Sequence, residues 1–228
     1  MAEYAALVAA GAVLALDHAA WPSLLVSQPL VAGALTGAVL GHVEAGLAAG
    51  AVVQMLGMRV QPVGGAAVPE AWLGGVAAAL CTPADLTLRS GAWLDDGRLA
   101  APAAVGVLAM FAGRAAVEAQ RRLQARLASG VMARVARGET SGVSQAHAVG
   151  VALHACRGVI LAGLVVLLAR PMASALAAGG MVAPAGRLAL ALAAVSLGHD
   201  AIRRRRGWGV VAGAIAGLLV ALAGTRWH

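Results

Sequence analysis

An all-α protein, a polytopic membrane bundle with re-entrant or broken helices, is predicted by three features of this sequence. First, 61% of its 228 residues are hydrophobic and only 12% are charged, with a mean hydropathy of +0.82, far from the composition of soluble domains. Second, the apolar residues fall into long Ala/Leu/Val/Gly runs rather than alternating with polar ones. Third, several runs are too short to cross the ~30 Å hydrocarbon layer alone, which takes roughly 20 apolar residues. The chain has room for about six to eight spans with short connections and leaves none for a soluble catalytic domain. Arginines interrupt the apolar runs throughout, so the formal net charge of +7 is a membrane-orientation signal rather than a nucleic-acid footprint.

The runs, in order, are Tyr4 to Leu16, Leu30 to Leu40, Ala45 to Met58, Ala71 to Cys81, Leu99 to Gly113, Val143 to Leu168, Leu188 to Leu197 and Trp208 to Ala223. The opening Met-Ala-Glu has no basic residue before the first run, so it does not resemble a cleaved signal peptide and the first helix is expected to stay. Gly33, Gly37 and Gly41 carry the four-residue spacing of small residues that lets helix backbones approach closely. Between the third and fourth runs, Val60 to Glu70 is broken by Pro62, Gly64, Gly65 and Pro69. Irregular backbone survives at membrane depth only inside protein or beside a polar cavity. The stretch from Arg114 to Glu139 is polar, helical in pattern and rich in arginine. Cys81 and Cys156 form neither a zinc pattern nor a disulfide framework and read as packing residues.

Charge predicts the topology. The clusters Arg114 to Arg137 and Arg203 to Arg206 are expected on the cytoplasmic side, and two crossings between them return the chain to that side. Asp95 to Arg98 then falls outside. Trp21, Trp72, Trp93, Trp208 and Trp227 are read most simply as interfacial residues.

Polar side chains inside apolar helices are costly and mark function by default. Here they gather near the N-terminus: Asp17 and His18, then Gln28, Gln54, Gln61 and Glu70. Amides donate and accept, and carboxylates accept strongly, a mixture suited to the vicinal hydroxyls of a sugar. Helix caps and interhelical hydrogen bonds would use the same residue types, so composition leaves both readings open.

At these residues the chain resembles a known family. Ser27-Gln-Pro-Leu-Val-Ala-Gly33 through Gly41, then Gly50 to Gln54, then Pro62-Val-Gly-Gly-Ala-Ala-Val-Pro-Glu70 resemble the IIC subunit of the mannose/fructose/sorbose family of phosphoenolpyruvate-dependent sugar phosphotransferase systems. A second block, Ser144, His147 and Arg157 after the basic stretch, matches as well. The resemblance covers about residues 5 to 170, departs from the pattern at His42 and Arg59, and fades beyond Arg170, where the C-terminal region is shorter than the family's usual one.

The resemblance implies one membrane-embedded domain over residues 1–228. Residues 1–113 would form the substrate-site region, 114–140 a basic cytoplasmic amphipathic stretch, and 141–228 the C-terminal membrane region. It implies a multi-pass protein of the bacterial inner membrane that binds a hexose through Asp17, Gln28, Gln54, Gln61 and Glu70 and passes it across for phosphorylation. The implied partners are a IID membrane subunit, a phosphorylated IIB (IIAB) protein and membrane lipid, with no nucleic acid, and a homo-oligomer is compatible with it. No catalytic centre, metal or cofactor is expected in the chain itself. Two alternatives remain at this stage: a degenerate relative with a regulatory or structural role, and an unrelated small-solute or ion transporter, for which only Asp17 and Glu70 speak.

Overall fold

The computed structural model describes residues 1–19, 24–57, 69–86 and 98–178. Among them are six helices and no strand: α1 (Ala2–Ala19), α2 (Pro29–Leu40), α3 (Val43–Gly57), α4 (Ala71–Cys81), α5 (Ala100–Val135) and α6 (Val143–Ala178). The last two apolar runs, residues 188–197 and 208–223, lie outside the described residues, as do Asp95, Asp96 and the run Arg203 to Arg206.

The helices divide by length. At about 1.5 Å per residue, α5 and α6 each reach roughly 54 Å, whereas α2 and α4 reach less than roughly 20 Å. Both long helices are apolar and long enough to cross a membrane, and the three short ones are not. The polar, arginine-rich stretch from Arg114 forms the second half of α5, continuous with the apolar run before it. Pro102 causes no break because it sits in the first turn, where backbone donors have no intrahelical acceptor in any case.

α2 and α3 form a tight antiparallel hairpin. Pro29 opens α2 at a position where its fixed φ is already helical. Gly41 closes it with φ 82°, a left-handed cap that lets the Gly41 and His42 amides donate to Ala38 and Gly37. The small-residue spacing then does what the sequence predicts, since a Cβ on Gly33 would lie 2.6 Å from the Gly46 carbonyl oxygen. The same device recurs where Gly74 of α4 meets Gly106 of α5, and where Gly11 of α1 meets Gly158 of α6. With no hydrophobic drive between helices in lipid, such close backbone contact supplies the cohesion.

α4 is the central element. Nine of its eleven residues are buried, and it packs against α2, α3, α5 and α6. One core joins Trp72, Leu73, Val76 and Leu80 of α4 to Leu7, Leu14 and Ala15 of α1 and to Ala162 and Val165 of α6. A second joins Val52 and Val53 of α3 to Ala78, Leu99 and Ala103. Trp72, expected at a membrane interface, is only 1% exposed and forms part of the first core; its neighbour in sequence, Glu70, explains why.

The two ends of the bundle differ chemically. Where α4 ends, Arg170 donates from Nε to the Leu80 carbonyl (3.2 Å) and lies over the Tyr4 ring, a cation at the negative end of a helix dipole. At the same end, Arg98 forks onto Asp85 at 2.6 and 2.7 Å, and that hydrogen bond holds the Asp85 carboxyl below the usual carboxylate range. Arg114 and the arginines after it lie toward the opposite end of α5 from Arg98.

Candidate functional site

Two polar side chains, Asp17 and Gln54, converge where α2 begins. Asp17, near the end of α1 and 3% exposed, accepts the Leu24 amide at 2.6 Å through Oδ1 and the Ser27 amide at 3.0 Å through Oδ2. Gln54, on α3, accepts the Leu30 amide through Oε1 at 3.0 Å. The Leu30 amide, in the first turn of α2, has no carbonyl of its own helix to bond and is met by Gln54, while the Asp17 carboxylate holds the Leu24–Ser27 turn that leads into α2. The backbone closes tightly around it, because Gly50 and Gly75 bring α3 and α4 against Pro29, leaving no space for a Cβ.

Gln28 stands at the N-cap of α2, half-buried, and its side chain makes no capping bond. Asp17 thus uses both carboxylate oxygens on backbone amides and Gln54 its side-chain carbonyl. Gln61 lies outside the described residues.

Glu70 is placed differently. Its amide donates to the Met110 carbonyl of α5 at 3.1 Å, and α4 starts at the next residue. The side chain makes no capping bond. It is instead enclosed at 3% exposure, where Oε1 pairs with Arg157 Nη2 of α6 at 2.7 Å and Oε2 accepts the Trp72 indole N–H. Gly113 of α5 makes room, since a Cβ there would lie 2.6 Å from the Glu70 Cβ. A carboxylate and a guanidinium this deep persist only when each compensates the other's charge. Along the same α5–α6 seam Gln120 is 8% exposed, and neither of its amide atoms nor Arg157 Nε has a hydrogen-bond partner among the described residues.

The structure therefore brings Asp17, Gln28 and Gln54 together around the start of α2 and ties Glu70 to α5 and α6. Arg157 and Gln120 are the residues that reading for polar groups near the N-terminus misses. Arg157 stands among mostly apolar or small residues, which is the signal that marks a buried partner, whereas Gln120 lies within the polar arginine-rich stretch and carries no such signal.

Comparison with known families now adds to the geometry. The model of the sorbose-specific IIC component of the phosphotransferase system matches residues 3–189. The chain belongs to this family, the membrane components of sugar phosphotransferase systems, and its helical bundle is a membrane bundle. The match continues past Arg170, further than the motifs alone reach. No curated protein matched the chain.

Proposed function

We propose that this protein is the sugar-translocating subunit of a phosphoenolpyruvate-dependent phosphotransferase system, a multi-pass protein of the bacterial inner membrane. It binds a hexose and passes it inward for phosphorylation by a IIB protein, working beside a IID subunit. The observation that carries the reading is the convergence at the start of α2. There a helix entry is held inside the bundle by Asp17 and Gln54 while the Gln28 side chain makes no capping bond.

In this reading Asp17 positions the α2 entry, and the Gln28 amide and Gln54 NH2 meet the sugar hydroxyls, joined by Gln61. Glu70 contributes at the edge of the site, its carboxylate fixed by Arg157 and Trp72 until a sugar competes for it. A sugar hydroxyl needs a donor and an acceptor at once, which an amide supplies. The degenerate, regulatory alternative has no comparable observation behind it.

The test is equilibrium binding of labelled hexoses and hexosamines to the assembled membrane complex. Gln28→Ala is expected to weaken binding about ten-fold, the equivalent of one buried hydrogen bond of roughly 1.5 kcal/mol, with assembly unchanged. Wild-type affinity in an assembled Gln28→Ala complex would remove the α2 entry from the site.

A further inference from the structure

Buried polar groups nearly always find partners, because an unpaired one bears the full cost of leaving water. The seam between α5 and α6 holds an exception. Gln120 is 8% exposed, and among the described residues neither its amide nitrogen nor its amide oxygen has a hydrogen-bond partner. Arg157 is equally buried and turns Nη2 to Glu70, while its Nε has no hydrogen bond among the described residues either.

The register of the two helices sets these groups toward one another. Glu70 lies against Gly113 of α5 and pairs with Arg157 of α6, and further along Gln124 of α5 donates to the Gly150 carbonyl of α6, so the helices run antiparallel. Gln120 falls between these crossings, about two turns after Gly113 and one before Gln124, on the face of α5 that both use. Side chains lean toward the N-terminus of their own helix. In an antiparallel pair, Gln120 therefore leans toward the level of Arg157, and Arg157 toward that of Gln120. The polar row of Glu70, Arg157 and Gln120 ends at Gln124 and His154, which line a groove of about 370 Å³ between the helices. α4 separates this seam from the start of α2, since it packs against α2 as well as against α5 and α6.

We propose, resting on the transport reading above, that Gln120 and Arg157 form a second sugar-binding station, between α5 and α6 and separate from the α2 entry, which receives the hexose on its way to the arginine-rich end of α5. The charges select the ligand class. Glu70 and Arg157 compensate each other, so an anion would meet the Glu70 carboxylate and a cation the Arg157 guanidinium. The seam offers an amide that donates and accepts, beside a guanidinium N–H that donates, the set with which hydroxyl groups pair. A hexose stripped of water inside an apolar bundle needs such partners at each stage of its passage, because every unpaired hydroxyl is costly there.

The experiment compares the wild type with Gln120→Leu, which keeps the approximate size of the side chain and removes both polar atoms. Thermal unfolding and equilibrium binding of labelled mannose, fructose, sorbose and glucosamine are measured on the assembled membrane complex. Phosphoenolpyruvate-dependent uptake of the same sugars is measured in cells that also express the IIA, IIB and IID partners. Because neither amide atom bonds to another described residue, Gln120→Leu is expected to unfold at the wild-type temperature or above it. It should bind sugar at the α2 entry with wild-type affinity and take it up about ten-fold more slowly. A lower unfolding temperature would show that the amide serves the fold and would overturn the proposal, as would wild-type uptake. Weakened equilibrium binding would merge Gln120 with the α2 entry and overturn the separate station. A wild-type complex that neither binds nor takes up any sugar of the panel would defeat the transport reading, and the station with it.

Discussion

Glu70 shows how a single residue type supports several readings until its surroundings are known. The sequence places it just before an apolar run, where an acid caps a helix or meets a ligand. The structure starts α4 at Ala71, as expected, yet turns the carboxylate to Arg157 and Trp72. A partner nearly ninety positions away cannot be read from local pattern, although an arginine in the apolar middle of α6 is visible as an anomaly. Because both side chains are buried, removing either leaves an uncompensated charge at a cost of about 3–5 kcal/mol. Glu70→Gln and Arg157→Gln are each expected to destabilise the protein by that amount, and the double variant by clearly less than their sum. Unfolding in mixed micelles, arranged as a double-mutant cycle, measures the coupling; additive losses would show that the pair contributes nothing jointly.

At the scale of elements, the glycine spacing in α2 was legible because close helix contact needs small residues at a fixed interval. The partner glycines were not, since Gly46, Gly50 and Gly75 become meaningful only once the hairpin folds α3 and α4 against α2. The continuity of the apolar run with the polar stretch after it was not legible for a related reason: polar substitution changes what surrounds a helix without ending it, so α5 continues to Val135. A side chain at Gly46 would enter the Gly33 carbonyl and the backbone at Gly37, where nothing flexible can yield. Gly46→Leu is expected to cost about 3 kcal/mol or more and to part α2 from α3. Gly130→Ala, on the exposed face of α5 with open space around it, is the matched control. Equal stability and yield for the two variants would contradict the packing described for the α2–α3 hairpin.

For the whole molecule, composition alone defined the class, because so apolar a chain has no stable form in water. Family motifs around Gln28, Gln54 and Glu70 narrowed it to sugar transport, and the match over residues 3–189 makes the family plain. What each polar residue near the start of α2 does needed coordinates: Asp17 and Gln54 spend acceptors on backbone amides, and the Gln28 side chain makes no capping bond. The central claim, that this chain carries a hexose into a phosphotransferase reaction, is tested most directly by uptake. Cells expressing it with its IIA, IIB and IID partners are given labelled hexoses and hexosamines, and sugar phosphate inside is measured with phosphoenolpyruvate supplied or exhausted. The account predicts phosphoenolpyruvate-dependent accumulation of at least one sugar phosphate, lost when this chain is omitted and reduced about ten-fold by Gln28→Ala. Accumulation that is identical with and without this chain would contradict it.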